Sequence, residues 1–214
     1  MNVKSNVVRL SGQAFDLNEH TLIFTHIPKC GGTSLHKTLE HLLGINRYRV
    51  FVGKPNPSEN LDQLRGGGGH QRFGNNALHL YAQRKSIVYT TVLREPFEQF
   101  KSWYMHLKRD RVHNLRLRFP GIEQCTPIEI LDYLDKIDNR SARNLQSLMV
   151  SPGARSIDDL IEHVRENYTV VGALDEFDLY LDSISGLFGG REIRKFDLNK
   201  KTTGSDVDLS LIHI

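Results

Sequence analysis

An α/β fold, in which a central and mostly parallel sheet is flanked by helices, is what this chain of 214 residues predicts. Three observations lead there. Short β-prone apolar runs alternate with stretches of helical periodicity, the order that builds parallel sheets covered on both faces. The first such run, Leu22, Ile23, Phe24 and Ile27, breaks at Pro28 into a glycine-containing turn and then into leucines at helical spacing. Hydrophobic content of 39% beside 25% charged residues is enough for one substantial core in a globular domain.

The elements follow in order. The run from Leu22 to Ile27 reads as a buried strand, and Leu35, Leu39, Leu42 and Leu43 place a helix over Ser34–Leu43. Tyr48–Val52 reads as a second strand, Pro55 to Asn60 as loop, and the four glycines Gly66 to Gly69 as a flexible segment. Ile87–Leu93 is a further strand. Pro96 suits a first helical position, and Phe97, Phe100, Tyr104 and Leu107 stripe one face of a helix over Pro96–Lys108. Helices are expected over Pro127–Lys136, Arg140–Val150 and Ile157–Asn167, then a strand Thr169–Gly172, a helix Glu176–Leu187 and a last strand Glu192–Phe196. Residues 1–20 form a polar lead-in, and residues 21–214 a single domain.

Several classes are excluded by composition. A formal net charge of +3 suits an anionic ligand but is too small to point to nucleic acid. No apolar run approaches the ~20 residues that span a bilayer, and Met1 to His20 lacks an apolar leader core. The expectation is a cytoplasmic protein without a membrane partner. Two cysteines, Cys30 and Cys125, make no disulfide framework. Cys30 adjoins an expected helix N-terminus and is expected to have a lowered pKa. His36 stands where a Cys-x5-Arg phosphatase loop needs arginine, so that chemistry is excluded.

The turn after the first strand has the chemistry of an anion cradle. Gly31 and Gly32 let backbone approach a phosphate, free N–H groups at the helix start point at it, and the helix dipole favours negative charge. Lys29 adds a full positive charge, and the Thr33 and Ser34 hydroxyls add donors. A nucleoside-triphosphate P-loop has its lysine after the glycines; here it comes first. A second constellation follows the strand Ile87–Leu93, whose carboxyl end carries Arg94. Ser102 lies off the apolar stripe of the next helix, so Arg94 and Ser102 are both available to a ligand. The alternative is an arginine paired with Glu95 or Glu98 beside a solvated serine.

With both stretches in view, a resemblance emerges. Ile27-Pro28-Lys29-Cys30-Gly31-Gly32-Thr33-Ser34 looks like the 5′-phosphosulfate loop of sulfotransferases, often I-P-K-T-G-G-T-S. Leu93-Arg94-Glu95-Pro96-Phe97-Glu98-Gln99-Phe100-Lys101-Ser102-Trp103-Tyr104 resembles their 3′-phosphate motif, L-R-D-P-x-x-R-F-x-S-x-Y. Asp138-Asn139 through Gln146, and Val171-Gly172 through Glu176-Phe177, fit the carbohydrate branch of heparan sulfate and uronyl 2-O-sulfotransferases and their bacterial relatives. The match covers most of residues 21–203.

The resemblance implies a three-layer, P-loop-like fold. It also implies transfer of a sulfuryl group from 3′-phosphoadenosine 5′-phosphosulfate (PAPS) to a hydroxyl, that of a glycan in this branch, without a metal. Lys29 would stabilise the leaving phosphate, and Cys30, Gly31, Gly32, Thr33 and Ser34 would cradle it. Arg94 and Ser102 would hold the 3′-phosphate. Asn199-Lys200-Lys201-Thr202-Thr203 resembles a basic loop that closes over the nucleotide, bringing Lys200, Lys201 and Thr202 to it; a solvated tail is the other reading. Gly68-Gly69-His70-Gln71-Arg72-Phe73 resembles the H-G-H-x-x-F base motif, which makes His70 the candidate base rather than a solvated loop histidine. Gly68 replaces that motif's first histidine and leaves His70 alone. His26, on the strand entering the loop, is expected to be a packed structural residue. Arg72, Arg109 and Arg111 are candidate contacts to an acidic acceptor, although the basic stretch from Lys108 to Arg118 equally reads as a solvated helix end. Relatives continue past Ile214 into another helix, so a C-terminally short domain is expected. The alternatives are a non-catalytic binder of PAPS or its desulfated product PAP, an interaction protein, or a nucleotide or small-molecule kinase.

Overall fold

β1 (His20–Thr25) is the middle strand of a five-stranded sheet ordered β2-β3-β1-β4-β5, with β2 at Tyr48–Phe51, β3 at Gly66–Gly69, β4 at Ser86–Leu93 and β5 at Tyr168–Ala173. The computed structural model describes residues 14–53, 61–81, 86–109, 121–138 and 144–196. Every neighbouring pair of strands is parallel, so all the carboxyl ends lie along one edge. The chain adds β2 and β3 on one side of β1, then β4 and β5 on the other. The direction of growth reverses beside β1, the place where open α/β sheets admit ligands.

Seven helices are described: α1 (Gly32–Leu43), α2 (Ala77–Tyr81), α3 (Pro96–Arg109), α4 (Pro127–Asp138), α5 (Leu145–Val150), α6 (Ile157–Asn167) and α7 (Phe177–Leu187). They cover both faces because β1 buries both of its own. Leu22 and Phe24 pack with Leu35 and Leu39 of α1 and with Leu181 and Ile184 of α7. Ile23 turns the other way and joins Ile27, Leu78 of α2, and Met149 and Val150 of α5. Each such side chain removed from water contributes roughly 1.5–3 kcal/mol, so the two layers of helices clamp β1 and fix where its carboxyl end emerges. A smaller cluster of Tyr104, Leu107, Ile122 and Ile130 ties α3 to α4 through a 3₁₀ turn at Ile122–Gln124. None of the described helices is long and apolar enough to cross a membrane.

Three expectations change. Gly66 to Gly69 is not a flexible segment; it is β3, buried along its length between β1 and β2. Its neighbours come too close for any side chain. A Cβ at Gly66 would lie 2.5 Å from Leu43 Cδ1, at Gly67 2.5 Å from Phe51 Cε2, at Gly68 2.7 Å from the Phe24 carbonyl oxygen, and at Gly69 2.2 Å from that of Phe51. Close backbone approach, not loop formation, is what the glycines serve. The stretch Glu192–Phe196 is not a strand. Its side chains pair outward instead, Lys195 with Asp178 and Arg194 over the Phe196 ring, and the Arg194 carbonyl accepts from the Thr38 hydroxyl at 3.4 Å. The helix expected over Arg140–Val150 is described only from Leu145 onward. Helix α2 was not expected; its cue is Asn76, whose side chain accepts the Leu78 N–H at 2.9 Å.

Candidate functional site

The site is built from three adjacent strand ends. β3, β1 and β4 lie side by side, with Thr25 in register with both Gly69 and Thr91. Their carboxyl ends therefore deliver His70, the loop after Ile27, and Arg94 in one row.

The loop is shaped by two residues in the left-handed region, Lys29 at φ 67° and Gly31 at φ 77°. Gly31 tolerates this freely, whereas a lysine held there costs about 1–2 kcal/mol. The carbonyls are held by α3 and by the turn before it: Gln99 Nε2 donates to Pro28 O at 2.9 Å, and Arg94 Nη1 donates to Lys29 O at 3.2 Å. Helix α1 then begins at Gly32 with no side-chain cap and no acidic residue in its first turn. Its first N–H groups lack intrahelical acceptors, which is the condition for receiving an anion. Thr33 is exposed and Ser34 half-buried in that first turn.

Positive charge gathers here. Half-burial lowers the Lys29 ammonium pKa, and Arg94 and then Arg109 lower it further. Arg109 thus acts on the loop from the far end of α3. The carboxylate paired with Arg94 is Glu98, at a long 3.4 Å, and Glu98 is shared with Lys101 at 3.7 Å. Cations crowded in this way repel one another until an anion enters.

Cys30 departs from expectation. Its thiol is buried, 3.8 Å from both the Pro28 carbonyl oxygen and Gln146 Oε1. Burial pushes it up to about 12, against the opposing effect of Arg94. Removal from water outweighs the nearby helix end, so the thiol is inert.

His70 is exposed at the end of β3. Its Nδ1 lies 2.9 Å from the carbonyl oxygen of His26. A carbonyl only accepts, so Nδ1 carries a proton, and in the neutral imidazole Nε2 is the nitrogen left with a bare lone pair. His70 is not alone. Its ring lies 4.1 Å from that of His26, and His36 occupies the space above Gly68, its Cε1 2.8 Å from where a Cβ would stand. His26 is packed against Phe24, as expected of a structural residue, yet its ring also faces the loop: a Cβ at Gly32 would fall 1.9 Å from it. Burial above all, then the neighbouring His70, pushes His26 down to about 2 and His36 down to about 4.

Two amides lie inside the stretches quoted above, but no sequence signal marks the role of either. Gln146 holds both backbone groups of Arg94, accepting its N–H at 2.9 Å and donating to its carbonyl at 2.7 Å. Gln99, where the quoted motif has arginine, anchors Pro28. Ser102 is half-buried on α3 and makes no hydrogen bond to Arg94 or the loop among the described residues, so the structure does not join that pair directly. Arg72 is exposed two residues beyond His70. Arg111, Lys200, Lys201 and Thr202 lie outside the described residues. Among the described residues, no group of three His, Cys, Asp or Glu side chains is placed to hold a metal ion.

The sequence profile of the sulfotransferase family matches residues 13–201. The chain belongs to the sulfotransferase family. Similar solved structures include a sulfotransferase from Alicyclobacillus acidocaldarius, 14% identical, TM-score 0.47, covering 86% of this chain and 87% of that one. A mouse sulfotransferase solved in complex with PAP is 13% identical, TM-score 0.44, with 88% of this chain and 62% of that chain covered. No curated protein sequence matches. In this sulfotransferase the row of strand ends is therefore the candidate active site, and its loop spans Pro28 to Gly31.

Proposed function

We propose that this sulfotransferase takes PAPS as sulfuryl donor and a carbohydrate hydroxyl as acceptor. The observation that supports the reading most is Lys29 and Arg94 brought together at the loop before the uncapped start of α1, Arg94 Nη1 donating to the Lys29 carbonyl at 3.2 Å, with the outward Nε2 of His70 one strand away. A donor with phosphates at two separated positions suits cations brought from two strand ends. Lys29 and the α1 amides receive the 5′-phosphate together with Cys30, Gly31, Gly32, Thr33 and Ser34. Arg94 and Ser102 receive the 3′-phosphate, and Lys200, Lys201 and Thr202 close over the nucleotide. Arg72, Arg109 and Arg111 meet an acidic acceptor.

The acceptor oxygen forms a bond to sulfur, and its proton passes to His70 Nε2. The bond between sulfur and the 5′-phosphate oxygen breaks, and its electron pair stays on that oxygen beside Lys29. PAP and a sulfate ester leave, and His70 returns its proton to solvent. The residues supply positioning, charge and a base, and no step calls for a metal.

The test is transfer of radiolabelled sulfate from PAPS to a panel of uronate-containing and neutral glycans. His70→Ala should lower turnover by about a hundred-fold or more while PAP affinity holds. Full turnover in that variant removes His70 from the mechanism. PAP binding by a wild type that transfers nothing points to the non-catalytic binder, and stabilisation by ATP with magnesium alone points to a kinase.

A further inference from the structure

Tyr48, His36 and His26 form a chain of hydrogen bonds that ends at the mouth of the loop, and its buried end sets its direction. Tyr48 Oη lies 2.6 Å from His36 Nδ1 and has no second partner among the described residues. A buried hydroxyl with one partner donates to it, because a proton left without an acceptor is the costlier loss. His36 Nδ1 therefore accepts, which in a neutral imidazole places the proton on Nε2. That Nε2–H donates to His26 Nδ1, 3.0 Å away. His26 is left with its own proton on Nε2. Burial keeps both rings neutral at ordinary pH.

The His26 Nε2–H has no partner among the described residues. It stands 1.9 Å from the point a Cβ on Gly32 would occupy, against the first turn of α1, and the ring centres of His26 and His70 are 4.1 Å apart. The ring therefore adjoins both the start of α1 and the candidate base.

We propose that His26 is a further catalytic residue, a neutral N–H donor fixed in one tautomer by Tyr48 through His36, which hydrogen-bonds an oxygen of the sulfuryl group between the loop and His70. The inference rests on the sulfuryl-transfer reading above. Neutrality suits the position. A cationic imidazole beside His70 would oppose the proton that His70 must accept, whereas a neutral donor stabilises anionic oxygen without that penalty. Tyr48 and His36 touch no substrate and act as positioning residues.

Two readouts test the proposal. Nitrogen–proton correlation NMR of ¹⁵N-histidine protein should find His26 protonated at Nε2 and bare at Nδ1, and Tyr48→Phe, which removes only the buried hydroxyl, should mix the tautomers. Calorimetry with PAPS and PAP then isolates the sulfuryl contact. His26→Phe should weaken PAPS about fivefold, the value of one hydrogen bond, and PAP less than about twofold. His26→Gln, which keeps an N–H donor, should restore most of the PAPS affinity. A bare Nε2 in the wild type, or equal effects of His26→Phe on the two nucleotides, overturns the contact and leaves the sulfuryl-transfer reading standing. A wild type that binds neither nucleotide overturns that reading and the contact with it.

Discussion

Acid should destabilise this protein through His26 and His36, beyond what its carboxylates cause. Burial, and then the positive charge of neighbouring rings, holds His36 down to about 4 and His26 down to about 2, against 6.5 for an unperturbed histidine. The native pKa values lie below the unfolded ones. Below pH 6.5 the unfolded chain therefore takes up protons that the native state refuses, and stability falls as pH falls. The loss is absent well above 6.5; for His36 it stops growing near 4, where the native ring accepts its proton. Inside that window each ring costs close to ~1.4 kcal/mol per pH unit. Between about pH 6 and about pH 5, where the unfolded rings are only partly to nearly fully protonated, the pair therefore costs ~2.4 kcal/mol. At ~2–4 °C per kcal/mol for a domain of this size, the melting midpoint should drop by ~5–10 °C. Urea titrations at the two pH values measure the loss directly. His36→Gln removes one buried imidazole and should remove about half of the excess acid slope. A slope identical to that of the wild type refutes the argument.

Three further outcomes follow from the geometry. Lys29→Gly should raise stability by about 1 kcal/mol, because glycine adopts the left-handed conformation without strain, while sulfate transfer falls by on the order of a hundred-fold or more; a loss of stability in thermal melts contradicts the strain at Lys29. Gln146→Ala strips both backbone groups of Arg94 of their partners and should cost ~2–4 kcal/mol in urea titrations, with weaker PAP binding; an unchanged Kd for PAP removes Gln146 from the site's support. Gly69→Ala drives a Cβ to 2.2 Å from the Phe51 carbonyl oxygen and should cost ~3 kcal/mol or more in thermal melts, whereas Gly153→Ala, with open space around it, should cost little; equal costs undermine the account of β3.

What was readable in the sequence is what must be contiguous to function. The loop from Pro28 to Gly31 and the helix behind it announce themselves because a turn, a cation and free amides have to follow one another along the chain. Arg94 was readable because a β-branched run stops directly before it. The role of Gln146 was not: the residue closes a stretch that fits the family, but a neutral amide that meets Arg94 across 52 positions carries no local mark of that contact. Tyr48, His36 and His26 sit on a strand, a helix and a strand end, and only the sheet order joins them. Cys30 misled because the helix end is visible in sequence and the burial that outweighs it is not. The glycines 66–69 misled for the opposite reason, since local propensity says loop and the pairing of three strands overrules it.

The absence of side chains on β3 reaches beyond strand pairing. Gly66 and Gly68 face α1, and the Tyr48 ring lies across them, its Cδ2 3.2 Å from a Cβ on Gly66 and its Oη 3.0 Å from one on Gly68. The strand serves as an aperture through which an edge-strand phenol reaches an imidazole on the far helix. Even a methyl group at position 68 would act as a shutter in that opening, so a substitution there should disturb His26, at the opposite end of the conduit, as well as the pairing with β1.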